Sequence, residues 1–173
     1  DELQKQWGKI DILIANAGIN HRRALQDFDL EDFEKVINTN FKAIWVLCKA
    51  VTPFMVEKKN GRIILIGSMS AINARPSISA YVASKGAVHA LCKQLAVELA
   101  PNLITVNCIA PGYMDEGMIR EIPEAMRAEI IAKTPVAKLS DTDGIIKMVE
   151  LLLSNEANSI TGQVLSVNGG LWM

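Results

Sequence analysis

Arg62-Ile63-Ile64-Leu65-Ile66, halted at Gly67-Ser68, decides the fold of this chain. The run does not alternate apolar with polar residues, so neither face of the strand it predicts meets water. Strands buried on both faces belong to parallel sheets, whose crossover helices cover both sides. Three other runs share this character. Ile10-Asp11-Ile12-Leu13-Ile14-Ala15 ends at Asn16-Ala17-Gly18, and Ile104-Thr105-Val106-Asn107-Cys108-Ile109 stops at Pro111-Gly112. Gln163-Val164-Leu165-Ser166-Val167 leads into Asn168-Gly169-Gly170.

Helical stretches lie between the runs, predicted over about 29–59, 79–99, 123–133 and 141–153. In the first, Leu30, Phe33, Val36, Ile37 and Phe41 recur at helical spacing. Asp29, Asp32, Asp141 and Asp143 sit where a helix N-terminus favours carboxylates. Strand-helix alternation implies right-handed crossovers. The expected fold class is α/β: the C-terminal part of a doubly wound, Rossmann-type parallel sheet with helices on both faces, in one domain over 1–173. Ligands of such sheets bind in the crevice beyond the carboxyl ends of the strands.

Composition agrees and excludes other classes. The chain has 173 residues, half of them hydrophobic and 21% charged, with a net charge of −1. That mix builds a core and argues against disorder. No basic field is present to hold nucleic acid or an anionic membrane. No apolar run approaches the roughly 18 residues of a membrane span. Asp1 to Trp7 shows no basic segment followed by an apolar one, so a secretory leader is not expected. Cys48, Cys92 and Cys108 lie among apolar residues without a CxxC pair and read as reduced core residues of a cytoplasmic protein. His89 and Cys92 share a helix face, but with His21 as the other histidine they make no metal site and read as packing or surface residues.

The sharpest chemistry is in Tyr81-Val82-Ala83-Ser84-Lys85. Tyr and Lys at i and i+4 lie on one helix face, so phenol and ammonium can share a site, although such a pair by itself is more often a helix-surface pair. A free phenol, with a pKa of about 10, exchanges protons poorly near neutrality. A neighbouring cation stabilises the phenolate and is expected to lower that value. Ser68 ends the second strand and brings a hydroxyl toward the same crevice.

Asn16-Ala17-Gly18, Asn40, Ser68, Tyr81-x-x-Ser84-Lys85, Pro111-Gly112 and Thr161-Gly162 through Val167-Asn168-Gly169-Gly170 occur in the order and spacing of one family. On these motifs the chain resembles the short-chain dehydrogenases/reductases over essentially its whole length. The resemblance implies an NADP(H) cofactor, with NAD(H) left open. It implies Tyr81 as general acid toward a substrate carbonyl and Lys85 as the holder of the nicotinamide ribose that keeps Tyr81 acidic. Ser68 would hydrogen-bond the substrate oxygen, and Asn40 would organise a water in a proton relay to Lys85. Asn16, Ala17 and Gly18 would border the cofactor, and the backbone from Pro111 through Gly112 to Met114 would meet the nicotinamide.

Two departures stand out. The family's TGxxxGxG turn for the pyrophosphate has no counterpart, so the chain reads as part of a longer enzyme. Glu116 stands where many relatives have Thr. The likeness is greatest to 3-oxoacyl-[acyl-carrier-protein] and acetoacetyl-CoA reductases, implying a 3-oxoacyl thioester substrate and a place in fatty acid biosynthesis. Sugar, polyol or other secondary-alcohol dehydrogenases of the same family are the alternative, with a silent oligomerisation module as a further one. Lys58, Lys59 and Arg62 are candidates for meeting an acidic carrier, against which Val97 stands where some such reductases have arginine. Tyr113 is a candidate for the substrate mouth or for packing, and Met114, Met118 and Met126 for a packed lid. Apolar faces over 43–54 and 87–99 point to a homo-oligomer, in the family a tetramer.

Overall fold

The computed structural model describes residues 6 and 8–172, so the leader reading over Asp1–Trp7 falls mostly outside the described residues. Four strands, β1 (Ile12–Ala15), β2 (Gly61–Ile66), β3 (Ile104–Pro111) and β4 (Val164–Val167), form a sheet in the order β1-β2-β3-β4. All three pairings are parallel, with Ile14 opposite Ile64, Ile64 opposite Asn107 and Ile109 opposite Leu165. The crossovers are α1 (Leu30–Ile37) with α2 (Ala43–Lys58), then α3 (Ser79–Leu99), then α4 (Glu124–Lys133) with α5 (Thr142–Leu153).

The unbroken apolar run of β2 is explained by what covers it. Ile63 and Leu65 join Ile104, Val106 and Cys108 beneath α2 and α3, against Cys48, Met55, Val88 and Cys92. Ile64 points the other way and packs with Ile109 beneath α5, against Leu152, Met148 and Val149. Successive side chains of a strand alternate between faces, so both faces need apolar residues when both are covered. The three cysteines are free and buried, as their apolar neighbours suggested. Among the described residues no helix is long and apolar enough to cross a membrane.

Some local expectations shift. Leu30 and Phe33 are exposed, at 71% and 40%, while Val36 alone of that face is fully buried within α1. Asp141 caps α5 by accepting the Gly144 N–H at 3.3 Å, whereas Asp29 precedes α1 without a side-chain bond.

Asn107 is the one amide inside β3, and it ties the strand to the turn entering β4. Its Nδ2 donates to the Ile160 carbonyl at 2.7 Å, and its Oδ1 accepts the Gln163 N–H at 3.1 Å. Replacing it with leucine leaves both backbone groups without their partner. Asn107→Leu is therefore expected to cost about 2–4 kcal/mol, read as a lower urea midpoint with an unchanged slope.

Candidate active site

Helix α3 carries Tyr81 and Lys85 one turn apart on its inner face, both buried. Where β2 leaves the sheet, Ser68 adopts an extended backbone, and its Oγ accepts the Ser70 N–H at 3.1 Å. Ser68 and Tyr81 open together onto a cavity of about 350 Å³ at the carboxyl end of the strands. Tyr113 and Met114 line this cavity as expected, and so does Glu116. Tyr113 also packs with Ile119, Ile122 and Ile130, and the Arg75 guanidinium lies 4.9 Å from its ring centroid. Its mouth and packing roles therefore coincide.

Lys85 stands behind Tyr81 rather than in the cavity wall. Its Nζ donates to the Ile66 carbonyl at 2.7 Å and lies 5.9 Å from the centroid of the Tyr81 ring. The expected lowering of the Tyr81 pKa is not what this arrangement gives. Burial holds the phenol above its ordinary value, nearby Tyr113 adds to the rise, and the Ser68 hydroxyl offsets part of it. Burial also lowers the Lys85 pKa, with Cys108 acting weakly the other way. One donor of the ammonium is engaged with the Ile66 carbonyl.

Asn40 lies in a π-helical turn, Asn38–Lys42, which interrupts the single helix expected over 29–59. The widened turn sets a fully buried Asn40 side chain against the loop that follows β1. Its Oδ1 accepts the Ile19 N–H and its Nδ2 donates to the Ile19 carbonyl, both at 2.8 Å. The second Nδ2 proton goes to Ser84 Oγ at 3.1 Å, and Ser84 in turn donates to the Tyr81 carbonyl at 2.7 Å. One amide thus binds the β1 loop to the helix that carries Tyr81. A Cβ on Gly18 would sit 3.4 Å from Lys85 Nζ and 3.5 Å from Asn40 Oδ1, so the loop runs directly over both.

Asn16, Ala17 and Gly18 are exposed at the carboxyl end of β1, while Pro111 closes β3 and Gly112 lines the cavity. The Gly112 N–H is held by the Val167 carbonyl at 2.8 Å, and Tyr113 and Asp115 are pinned to Ser140. These residues fit the nicotinamide half of a dinucleotide: an exposed strand-end loop, a fixed backbone segment and a lysine ammonium between them. No glycine-rich pyrophosphate turn occurs in the sequence, so the other half has no residues assigned. Among the described residues no group of histidine, cysteine and carboxylate side chains could hold a metal ion.

Several sequence expectations need correction. Arg62 is buried at the start of β2, bonded to Asn158 and the Gly61 carbonyl. With Lys59 it lines a separate cavity at the amino end of the strands, a whole strand length from Ser68. Lys58 and Lys59 are exposed at that end of the sheet. Met126 is 48% exposed rather than packed, and the Met118 side chain lies outside the described residues. Conversely, Asn20, His21 and Arg22 line the cavity mouth, and Met69, Ile78, Ile119 and Ile122 its apolar wall. The signal for the first three was positional, since they directly follow the loop at the end of β1.

An open parallel sheet with a phenol, a hydroxyl and a buried ammonium gathered at its carboxyl edge is the framework of a dinucleotide-dependent oxidoreductase. A family model described as "Enoyl-(Acyl carrier protein) reductase" matches residues 1–172. The chain is 39% identical over 173 residues to a 3-oxoacyl-[acyl-carrier-protein] reductase of Buchnera aphidicola, covering all of this chain and 71% of that protein. The corresponding reductase of Escherichia coli is 37% identical over the same 173 residues, again 71% of its length. The 5-keto-D-gluconate 5-reductase of Escherichia coli is 38% identical, with 99% of this chain and 68% of that protein covered. The chain belongs to the short-chain dehydrogenase/reductase family and is an oxidoreductase acting on CH–OH groups with NAD(P).

The raised phenol has a measurable consequence. A phenolate absorbance titration of the wild type minus that of Tyr81→Phe should show a midpoint above the ordinary value of about 10. A raised folded-state pKa means the neutral phenol is favoured by folding. Its contribution to stability is then full below the unfolded value and lost as pH rises through the folded one. A midpoint below 10 would show that Lys85 dominates after all.

Proposed function

We propose that the enzyme reduces the ketone of a 3-oxoacyl thioester to the 3-hydroxyacyl form with NADP(H), and that Tyr81 donates the proton. The observation carrying this reading is the placement of Ser68 and Tyr81 side by side on one cavity, with Lys85 directly behind. The nicotinamide, when bound, supplies the hydride. Tyr81 is neutral near pH 7, the form a proton donor needs; as hydride adds to the carbonyl carbon, the phenol proton passes to the carbonyl oxygen and leaves a phenolate. Ser68 donates a second hydrogen bond to that oxygen and fixes its position. An ammonium has three donors; one of Lys85's is on Ile66, which leaves the others for a ribose hydroxyl and for the charge left on Tyr81. Asn40 holds the Gly18–Ile19 backbone against Lys85, and a water beside this pair would complete the relay to solvent. Asn16, Ala17, Gly18 and the backbone from Pro111 to Met114 would hold the nicotinamide half.

Tyr81→Phe should lower turnover by about 10²–10⁴-fold with an unchanged circular dichroism spectrum, followed by NADPH oxidation. Near-normal turnover would remove Tyr81 from its role. The same assay with NADH decides the nucleotide.

A second substrate reading rests on the cavity mouth. Arg22 and His21 line the cavity together with Glu116, Ile119 and Ile122. A cation at the mouth suits an anionic substrate, and one similar protein is named a 5-keto-D-gluconate 5-reductase. Arg22→Ala should raise KM for a keto-acid about tenfold or more while leaving a neutral ketone unaffected, the scale of a charge-assisted hydrogen bond. Equal loss with both substrates would argue against charge recognition. Trp45, Val46 and Leu47 on α2 and Val97 on α3 are exposed apolar residues on the two long helices, which supports a homo-oligomer. The free, buried cysteines support a cytoplasmic location.

A further inference from the structure

His89 lies one turn beyond Lys85 on the inner face of α3 and is 8% exposed. Its Nε2 accepts the Ser68 N–H at 3.4 Å. That contact needs Gly67. A Cβ at position 67 would collide with His89 Nε2, and would stand 2.7 Å from both His89 Cδ2 and Cys108 Sγ. The glycine ending β2 therefore lets an imidazole lie against the strand end and take its next amide. Ser68 is then fixed at three points. The Gly67 N–H is on the Ile109 carbonyl at 2.8 Å, the Ser68 N–H is on His89, and Ser68 Oγ accepts the Ser70 N–H. The hydroxyl proton is turned toward Tyr81 and the cavity the two residues share.

We propose that His89 is a positioning residue for Ser68, acting as a neutral imidazole whose Nε2 lone pair fixes the Gly67–Ser68 peptide. The inference rests on the role proposed for Ser68. Acceptance at Nε2 requires the proton on Nδ1. Protonating Nε2 would abolish the acceptor and place a second cation beside Lys85. The charged and titratable groups facing the ring are Lys85 and Lys93 from α3 and the Cys108 thiol from β3. Burial pushes the Cys108 thiol up to about 11, so it stays neutral. Burial first, then both lysines, lower the His89 pKa. The neutral form therefore prevails at pH 7, and the acceptor is lost only on acidification below the ordinary histidine range.

Nitrogen-15 spectra of the chain labelled in histidine are expected to show one buried imidazole with Nε2 unprotonated and Nδ1 protonated at pH 7. An Nε2–H tautomer would overturn the proposal without any reference to substrate. In the ketone reduction assay, His89→Leu should lower kcat about ten- to a hundredfold, the scale of a displaced reacting group, with little change in KM for NADPH. His89→Gln, whose amide oxygen reaches the same amide, should restore most of kcat. It should also remove any acid limb that the wild type shows below pH 6.5. Equal loss in both variants, or an acid limb unchanged in His89→Gln, would show that the residue only packs. If Tyr81→Phe keeps near-normal turnover while the tautomer is as expected, the catalytic reading fails and the positioning geometry stands.

Discussion

Burying a lysine is the constraint from which the site follows. Lys85 is 3% exposed, and its ammonium faces a carbonyl rather than a carboxylate. A charge so placed needs hydrogen-bond acceptors close by, and the end of β2 provides one at Ile66. That bond fixes the rotation of α3 about its axis, which in turn sets Tyr81 toward the cavity and His89 under Ser68. The same helix face carries all three at four-residue spacing, so moving one would move the others. Burial on this face also favours the neutral form of Tyr81.

A second constraint is the π-helical turn. Inserting one residue into a helical turn is costly for regular hydrogen bonding and persists where a side chain repays it with contacts. Asn40 does so with both halves of its amide, binding the backbone of Ile19 and the Ser84 hydroxyl. The loop after β1 and the helix bearing Tyr81 are thereby tied through one buried group. Rigid support of this kind is what a reacting group positioned to fractions of an ångström needs.

The crevice has a packed part and an exposed part. Ser68, Tyr81 and Lys85 lie at the end of β2 and on α3, and all three are buried. The cavity is also lined by the β1 loop at 20–22 and by the segment after β3, where exposed polar residues such as Arg22 and Glu116 accompany the buried Ile119 and Ile122. Loops carried on a rigid scaffold vary without disturbing the core. Relatives with similar identity and different printed substrates, a 3-oxoacyl carrier reductase and a keto-gluconate reductase, fit such a division.

The sequence alone determined the parallel sheet, because continuous apolar runs such as Ile63–Ile66 are stable only when covered on both faces. It also placed Tyr81 and Lys85 one helical turn apart and Ser68 at the end of a strand. These are local relations, and local periodicity records them. The tertiary structure decided the rest. Whether Lys85 lowers or fails to lower the Tyr81 pKa depends on where its ammonium points, which is set by a strand 19 positions away. The end of the sheet at which Arg62 sits, the π turn at Asn40 and the contact of His89 with Ser68 likewise arise only when separate segments meet. Burial and hydrogen-bond partners are properties of that meeting, so no pattern along the chain encodes them one residue at a time.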